Sequence, residues 1–454
     1  MSLKIFILCV FSATSFFLTT TDAASQPIGL DRCIEFGNTN NPVIKTSQLD
    51  QILNKPAKLA AIGQFLPRVS ASYGINQSSS RISTFVAEDG RVVELPALVY
   101  GEMIPVENRK NRNSRYSINV SETVFNGGRN YYNFKNAGLQ EKIREYNYSG
   151  ETFLLRSAIT TAYCSALAAT ERLSLAEELL TQRRRQHNLA RVRFETGSVT
   201  RRDVMQAEVD LGRAENDSLS AVMSNRQTLE NLNFLIGFPI DSSYTLSNLP
   251  DLFNPDWDSE KLAAEALKHR SDYAISDLSI KMNRNNHTVS KGRYLPQVAA
   301  SLSHSRSEQS GANVDFTLDP RNRSTAYNLS LSWELFDGFT RELNLEQSRI
   351  QHRKSIINRQ DLERQIFKQV SEILYQLRSF YQQSLVADQN VGLANETLRF
   401  EEERYKLGSA TTIELGVAQV SYIQARNDLI NIETNFYIAL GELENATGMV
   451  LRRQ

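Results

Sequence analysis

The sequence predicts an α+β membrane protein built from two tandem copies of one unit, in which alternating strands are followed by very long helices. Three observations lead to this fold class. The chain aligns with itself at a constant shift, each half begins with segments of period two, and each half continues with almost no helix-breaking residue. Only 21 glycines and 11 prolines occur in 454 residues, and such scarcity favours long uninterrupted elements.

The two halves align without a gap. Tyr116 pairs with Tyr327 and Gly237 with Gly448, in both cases 211 residues apart. Upstream, a Leu-Pro pair at 66–67 matches another at 295–296, but at a shift of 229, so the first half carries 18 extra residues. Self-similarity at one fixed shift is typical of a duplicated structural unit. Further identical pairs are Ser121–Ser332, Phe125–Phe336, Gly127–Gly338, Arg193–Arg404, Gly197–Gly408, Ser198–Ser409 and Thr200–Thr411.

Each half opens with a predicted β-hairpin, at 66–125 and at 295–336. Apolar and polar residues alternate there, as they do in a membrane strand with one face toward lipid and one toward a lumen. A water-facing hairpin on a soluble core would give the same pattern. The polar segment at about 78–114 reads as an enlarged loop. The apolar positions are Val69, Ala71, Tyr73, Ile75, Ile118, Val120, Val124, Val298, Ala300, Leu302, Tyr327, Leu329, Leu331, Trp333 and Leu335.

A pair of long helices follows each hairpin, predicted at 129–196 and 199–236, then at 339–407 and 410–447. A helix of about 65 residues is on the order of 100 Å long. Apolar residues recur at spacings of three and four, as in a coiled-coil seam, and we expect one chain to need neighbours to bury these seams. Shorter helices are predicted at 41–63 and 259–293. The clearest seam comprises Ile366, Val370, Ile373, Leu374 and Leu377.

Four strands per chain are too few for a closed barrel with a lumen, since small closed barrels need about eight. An open sheet edge is not tolerated in lipid, so the strands must be shared between chains. Three chains would supply twelve strands. This argument disfavours a monomer but leaves the number of chains open.

The N-terminal residues 1–24 read as a secretory signal peptide, with Lys4, an apolar stretch and small residues at the predicted cleavage site near Ala24. An N-terminal helical segment (25–64) would precede the first repeat (65–239), and a linker with a helix (240–293) would precede the second (294–450). No later run of 18 apolar residues indicates a transmembrane helix. Cys33 and Cys164 are too few for a disulfide framework. A single bridge between them is compatible with the sequence, but we expect two buried free thiols.

Composition and motifs argue against an enzyme and against a nucleic-acid partner. Lysine plus arginine and aspartate plus glutamate number 51 each, so no net charge attracts a polyanion. We find no phosphate loop, no nucleophile elbow and no metal-ligand spacing, and we expect no cofactor. The five histidines are scattered: His187, His269, His287, His304 and His352.

The order of hairpin, long helix, glycine turn and return helix, present twice, resembles the TolC-like outer-membrane efflux and type I secretion channels. The most specific motif is RFETGSVTRRDV at 193–204, with its copy RYKLGSATTIEL at 404–415. The Leu-Pro strand openings, the strand ends at 124–127 and 335–338, and LDRCIE at 30–35 followed by Asn41-Pro42 also fit. The resemblance covers the whole mature chain.

The resemblance implies a homotrimer with a twelve-stranded barrel in the bacterial outer membrane, continued by an α-helical barrel across the periplasm. It implies a passive duct that works with a periplasmic adaptor protein and an inner-membrane ABC or proton-driven transporter. Outer-membrane lipid would surround the barrel. The two glycine turns would lie at the periplasmic tip and dock the adaptor through Arg193, Gly197, Ser198, Thr200, Arg404, Gly408, Ser409 and Thr411.

The resemblance also places a periplasmic gate at Asp203, Tyr405 and Glu414, with Glu414 in an acidic ring. Ser198 or Thr200, and Ser409 or Thr411, would cap the return helices. Two positions depart from the family pattern, because Ala410 replaces an arginine and Val417 replaces a second acidic residue. A basic group near the first tip reads either as a solvated helix face or as a match for an acidic partner. It comprises Arg183, Arg184, Arg185, Arg191, Arg193, Arg201 and Arg202.

Two other classes of protein carry long helices. A periplasmic adaptor would have one hairpin flanked by small β domains, whereas this chain has two hairpins and strands of membrane type. A coiled-coil scaffold without a pore would not need alternating strands with Tyr327 and Trp333 on the apolar face. The sequence leaves the cargo, the adaptor and the pump unnamed.

Overall fold

A computed structural model of the chain describes residues 27–86, 92–95, 106–310 and 323–451. The predicted signal peptide and its cleavage site lie outside the described residues. Within these ranges, no helix combines the length and the apolarity required to span a membrane.

Two long helical hairpins dominate the structure. Helix α4 (Arg129–Glu195) is followed by α5 (Arg201–Ile236), and α8 (Thr340–Lys406) by α9 (Thr412–Thr447). Both first helices have 67 residues and both return helices have 36. At 1.5 Å per residue, α4 and α8 are each about 100 Å long. The observed bounds lie within two residues of those predicted.

The duplication extends to the backbone conformation. Three pairs of glycines that are 211 residues apart all have positive φ, at the sheet–helix junctions, the hairpin tips and the ends of the return helices. Such left-handed positions end a helix or reverse the chain at little steric cost only when glycine occupies them. The glycines repeated in the sequence therefore give both halves the same turns and helix ends. The pairs are Gly127–Gly338, Gly197–Gly408 and Gly237–Gly448.

The strands form one antiparallel sheet in the order β2-β1-β3-β4-β5. The pairing of β3 with β4 joins the two halves. Alternation puts one apolar row across the sheet, through Val69, Val120, Leu302 and Tyr327. The opposite face is polar. The strands are β1 (Arg68–Val86), β2 (Val92–Leu95), β3 (Val106–Phe125), β4 (Gln297–Ser310) and β5 (Arg323–Ser332).

The first hairpin is longer than predicted. Strands β1 and β3 stay paired as far as Ser83 and Val106, well inside the segment interpreted as a loop, and β2 is a fifth strand within it. The loop was predicted from polarity, but ladder hydrogen bonds join backbone groups whatever the side chains are. A strand that is polar on both faces has no alternation by which to recognise it. Residues 87–91 and 96–105 lie outside the described part.

Shorter helices pack against α4 and α8 between the sheet and the middle of these long helices. Each of the two predicted short helices is divided, the first at Leu53 and the second at Arg270. At the second break Arg270 has extended backbone and donates to Asp272 Oδ2 (2.7 Å) and to the carbonyl of Ala446 (2.8 Å), which fixes the corner. These helices are α1 (Leu30–Asn40), α2 (Pro42–Ile52), α3 (Asn54–Gly63), α6 (Ser259–His269) and α7 (Ser271–Gly292).

Each half has its own apolar core at this level. The first lies among α1, α2, α4 and α5, around Ile159 and Tyr163; the second lies among α6, α7, α8 and α9, around Phe436. The expectation that one chain cannot bury its seams is wrong for the seam from Ile366 to Leu377, whose five residues are buried within the protomer. The reason is local, because α6 and α9 of the same half cover it.

Candidate functional site at the hairpin tips

Both hairpins end in the same turn. Gly197 and Gly408 have φ of +74° and +77°, as the sequence predicts. The N–H of the following serine bonds back to the carbonyl five residues earlier, Ser198 to Arg193 at 2.7 Å and Ser409 to Arg404 at 2.9 Å. This 6→1 bond is the mark of a Schellman motif, which closes a helix with a left-handed residue. Each first helix therefore ends in a hydrogen-bonded turn.

Threonine, not serine, opens each return helix. The backbone N–H of Thr200 donates to Asp203 Oδ2 at 2.8 Å, and that of Thr411 donates to Glu414 Oε2 at 2.7 Å. The threonine hydroxyls donate to the same carboxylate oxygens, at 2.7 and 2.9 Å. These are capping boxes. Hydrogen bonds from Thr200 lower the pKa of Asp203, and those from Thr411 lower the pKa of Glu414.

Tyr405 lies between the helices of the second hairpin and is only 9% exposed. It packs with Leu398, Leu415 and Ala418 in a small core at the tip. The guanidinium of Arg193, from the end of α4, stands 5.2 Å from the centre of its ring. The two tips of one protomer are therefore in direct contact, which the sequence reasoning did not predict.

Arg404, the repeat partner of Arg193, has a different role. It donates to Glu401 Oε1 at 2.9 Å and to the carbonyl of Ser409 at 3.0 Å, and it lies 4.0 Å from Glu414. Arg404 thus braces its own turn, whereas Arg193 reaches the other hairpin.

The two departures from the family pattern have different surroundings. Ala410 packs against the small core around Tyr405. Val417 is exposed, as are Ile413 and Val420. These three residues form an apolar row on α9 at spacings of four and three, which identify one face of a helix. The glycines and charged residues of the tip, on which the sequence prediction was based, do not indicate this row. Its spacing of four and three residues can nevertheless be recognised in the sequence.

The basic group near the first tip is only partly paired. Arg184 lies 3.7 Å from Glu215, and Arg191 lies 3.7 Å from Glu195. Desolvation by burial lowers the pKa of half-buried Arg183. Arg185, Arg201 and Arg202 are exposed and form no ion pair with any described residue.

With this geometry in place, the chain can be compared with known families. A sequence profile described as outer membrane efflux protein matches residues 51–238 and 262–449, two segments that are 211 residues apart. The chain belongs to the outer membrane efflux protein family. Its repeat is the family's duplicated unit, and the predicted resemblance to TolC-like channels is confirmed. No curated protein sequence matches this chain significantly.

Solved structures agree in fold. The Campylobacter jejuni CmeC outer membrane channel superposes with a TM-score of 0.75 at 16% identity, covering 92% of this chain and 85% of that one. The outer membrane protein VceC of Vibrio cholerae gives 0.73 at 17% identity, covering 92% and 96%. The open-state MtrE outer membrane channel of Neisseria gonorrhoeae gives 0.70 at 18%, covering 93% and 90%.

The predicted fold class, function and outer-membrane location are therefore confirmed: the chain is an outer-membrane efflux channel subunit. Family members are trimeric channels that work with adaptors and inner-membrane pumps.

Proposed function

We propose that three copies of this chain form one passive duct that carries cargo from a periplasmic adaptor and an inner-membrane ABC or proton-driven transporter to the exterior. The observation that supports this proposal is the sheet, which has an exposed apolar face and free edges. Strand β5 pairs on one side only, and β1 is covered on its outer side only near its far end by the short β2. Free edges in a membrane sheet require partner strands, and copies of the same chain supply them. No catalytic step is part of the proposal.

The hairpin tips would be the regulated end of this duct. The proposed gate comprises Asp203, Tyr405 and Glu414, held by the capping boxes and by the contact between Arg193 and Tyr405. Glu414 is half-exposed despite its bonds to Thr411, so one carboxylate can both cap α9 and bear charge toward a shared lumen. Three copies around one axis would form a ring that binds cations.

The adaptor would dock on the outer surface of the turns, which have the same hydrogen-bonded geometry in both hairpins. The docking residues proposed from the sequence include two arginines held within the protomer. Arg404 braces its own turn, and Arg193 joins the first tip to the second. Exposed Arg201 and Arg202 would supply the charge that attracts an acidic partner. The proposed docking set is Arg193, Gly197, Ser198, Thr200, Arg404, Gly408, Ser409 and Thr411.

Single-channel recording in planar bilayers tests the duct and the ring together. The variant Glu414→Gln removes the charge but keeps a side chain that can complete a capping box. We expect wild-type openings that multivalent cations block, and at least a tenfold weaker block in Glu414→Gln. Glu208→Gln, which removes one exposed carboxylate from α5 outside the proposed gate, is the matched control and should leave the block unchanged.

Each result bears on a different part of the proposal. Openings whose block is the same in Glu414→Gln and wild type would remove Glu414 from the lumen and leave the duct intact. A folded trimer that never conducts, even with Arg193 replaced to release the tips, would refute the duct. For docking, Arg201→Gln with Arg202→Gln should weaken capture of the adaptor in a salt-dependent way; unchanged capture would refute the electrostatic match.

A further inference from the structure

The polar face of the sheet, opposite the apolar row through Val69 and Tyr327, consists largely of serine and asparagine; we call it the serine face. Successive residues of a strand lie on opposite faces, so the pairing register gives the rows that cross this face. The hydroxyl oxygens of Ser72 and Ser117 lie 2.7 Å apart and share a hydrogen bond. One row comprises Ser72, Ser117, Ser305 and Ser324, and the next row toward the helices comprises Ser70, Asn119, Ser303 and Ala326.

Two arginines lie on the serine face, on either side of these rows. Arg68 opens β1 and pairs with Ser121, and Arg115 of β3 pairs with Gly74 and Ser307. Because Ser121 and Arg115 are six residues apart along β3, the rows of the two arginines are separated by about 20 Å. Among the serine-face residues whose side chains the structure describes, no other residue is charged.

Both guanidinium groups are accessible to a ligand. Arg68 and Arg115 are exposed, and neither forms an ion pair with any residue in the described part of the chain. Arg115 also has space beside it, because Gly74 has no side chain and a Cβ atom built there would meet nothing within 4 Å. Glycine within a strand is typical of a place where a ligand approaches the backbone closely.

We propose that Arg68 and Arg115 make the lumen of the barrel a binding passage for anionic cargo. The inference rests on the proposed function, since the apolar face lies against lipid and the serine face lines a lumen only when several copies close one barrel. In a trimer each arginine forms a ring of three guanidinium groups, and rows of hydroxyl and amide groups separate the two rings. Rings of arginine around a pore favour anions.

The chemistry of these groups identifies the class of cargo. A guanidinium can donate two parallel N–H bonds to a carboxylate or to a phosphate, so arginine recognises both groups. Serine hydroxyls between the rings can donate further hydrogen bonds to oxyanions. Several weak sites in series allow a molecule to enter, move and leave. The favoured cargo is therefore a molecule that carries carboxylate or phosphate groups.

Planar bilayer recording in a Glu414→Gln background tests the rings, because this parent variant lacks the opposing charge proposed at the tip. Inorganic tripolyphosphate is the probe, added to each side of the bilayer in turn. We expect it to block the parent channel, and we expect the block to be roughly tenfold weaker when Arg68→Gln and Arg115→Gln are combined. The permeability ratio of chloride to potassium, from the reversal potential in a KCl gradient, should fall roughly threefold in the same variant.

Three further variants separate the effect of charge from damage to the sheet. Arg115→Lys keeps the positive charge and should still be blocked. Ser305→Arg adds a ring of positive charge in the serine row and should strengthen the block. Arg323→Gln removes an exposed arginine from the opposite face of the same sheet, in the row of Tyr116, and should leave both measurements unchanged.

An equal block in the parent and in the combined variant, from channels that conduct normally, would overturn the anion passage and leave the duct in place. A change caused by Arg323→Gln and not by the combined variant would mean that the opposite face lines the lumen, which would also overturn the passage. If folded trimers of the parent never conduct, the duct itself fails, and the anion passage fails with it.

Discussion

The guanidinium of Arg193 lies 5.2 Å from the centre of the Tyr405 ring and joins the tips of the two helical hairpins within one protomer. Arg193 ends α4, and Tyr405 is buried near the end of α8. Any movement that separates the hairpins at their tips must break this cation–π contact, so the contact stabilises the state in which the tips touch.

Replacing either partner should therefore favour opening. A cation–π contact at a partly exposed site contributes about 0.5–1 kcal/mol, so Arg193→Gln and Tyr405→Leu should each raise the ratio of open to closed tips roughly two- to fivefold per protomer. Open probability in planar bilayers is the measurement. Tyr405→Phe keeps the aromatic face and should behave like wild type. If Tyr405→Phe opened the channel as strongly as Tyr405→Leu, the hydroxyl rather than the ring would be the important group.

The tip also shows how far the sequence could be interpreted. The turn at Gly197 and its copy were predictable because a left-handed helix end has a strong local signature. For the residue that caps each return helix, the sequence left a serine and a threonine open. The hydrogen bonds with Asp203 and Glu414 identify the threonines, Thr200 and Thr411. The contact of Arg193 with Tyr405 joins residues from different halves of the chain, and no local pattern encodes such a pairing.

The same distinction applies to the rest of the fold. Strands with apolar alternation were predicted, whereas the polar extension of β1 and β3 was not, since only backbone hydrogen bonds define it. The seam from Ile366 to Leu377 is buried within one protomer because α6 packs on it. No local sequence pattern indicates where α6 packs. Phe339 could have been noticed, because alignment of the repeat places it opposite Gly128.

The thiol of Cys33 should be almost inert in the folded protein. It is fully buried in the first core, and burial raises its pKa to about 12. Since the thiolate is the reactive form, alkylation by iodoacetamide at pH 8 should be roughly a thousandfold slower than in the denatured chain. Mass spectrometry of timed aliquots measures the rate. Ser409→Cys, at an exposed position in the turn, provides a fast-reacting control; rapid labelling of Cys33 in the native trimer would mean that α1 leaves α4.

The ion pair of Arg156 with Glu444 should be important for stability. Arg156 Nε lies 2.9 Å from the fully buried Glu444 Oε2, and Glu444 Oε1 accepts the N–H of Leu451, so this side chain joins α4, α9 and the chain after α9. Removal of one partner from a buried pair costs about 3–5 kcal/mol. We expect Arg156→Ala to lower the free energy of unfolding by roughly this amount in denaturant titration.

An exposed pair provides the comparison. Arg226 and Glu230 lie 2.8 Å apart on the surface of α5, one turn from each other. Exposed pairs of this spacing contribute about 0.3–0.5 kcal/mol, so Arg226→Ala should be nearly neutral. Equal effects of Arg156→Ala and Arg226→Ala would show that the buried pair is solvated in the trimer.

The carboxyl group of Glu433 should make the helical region more stable in mild acid than at neutral pH. It lines a cavity of about 200 Å³, and burial together with Glu171, Asp388 and Asp251 raises its pKa, against the opposing effect of Arg426. A carboxyl group whose folded pKa exceeds its unfolded pKa binds more protons in the folded state. Its contribution therefore favours folding below the unfolded pKa and is lost as the pH rises through the folded pKa.

The variant Glu433→Gln isolates this contribution. Glutamine keeps the shape of the side chain but carries no charge, so we expect the variant to have a higher Tm than wild type at pH 7.5 and a similar Tm at pH 4.5. Glu177→Gln, for which no such cavity is involved, is a control for removal of one charge from α4. A difference in Tm that did not change with pH would show that Glu433 is not the titrating group.

Phe339→Gly should stabilise the fold, although it deletes a large apolar side chain. Phe339 has φ of +66°, and its repeat partner Gly128 has φ of +79°. A left-handed backbone costs a non-glycine L residue about 1–2 kcal/mol, and glycine removes this cost. The ring is mostly exposed, so its loss opens no cavity in the core. In detergent we expect unfolding to become less favourable by about 1 kcal/mol. Gly128→Phe, the reciprocal change, should be destabilising by a similar amount. Denaturant titration measures the change, and an unchanged or lower free energy of unfolding in Phe339→Gly would show that the contacts of the ring outweigh the cost of its backbone conformation.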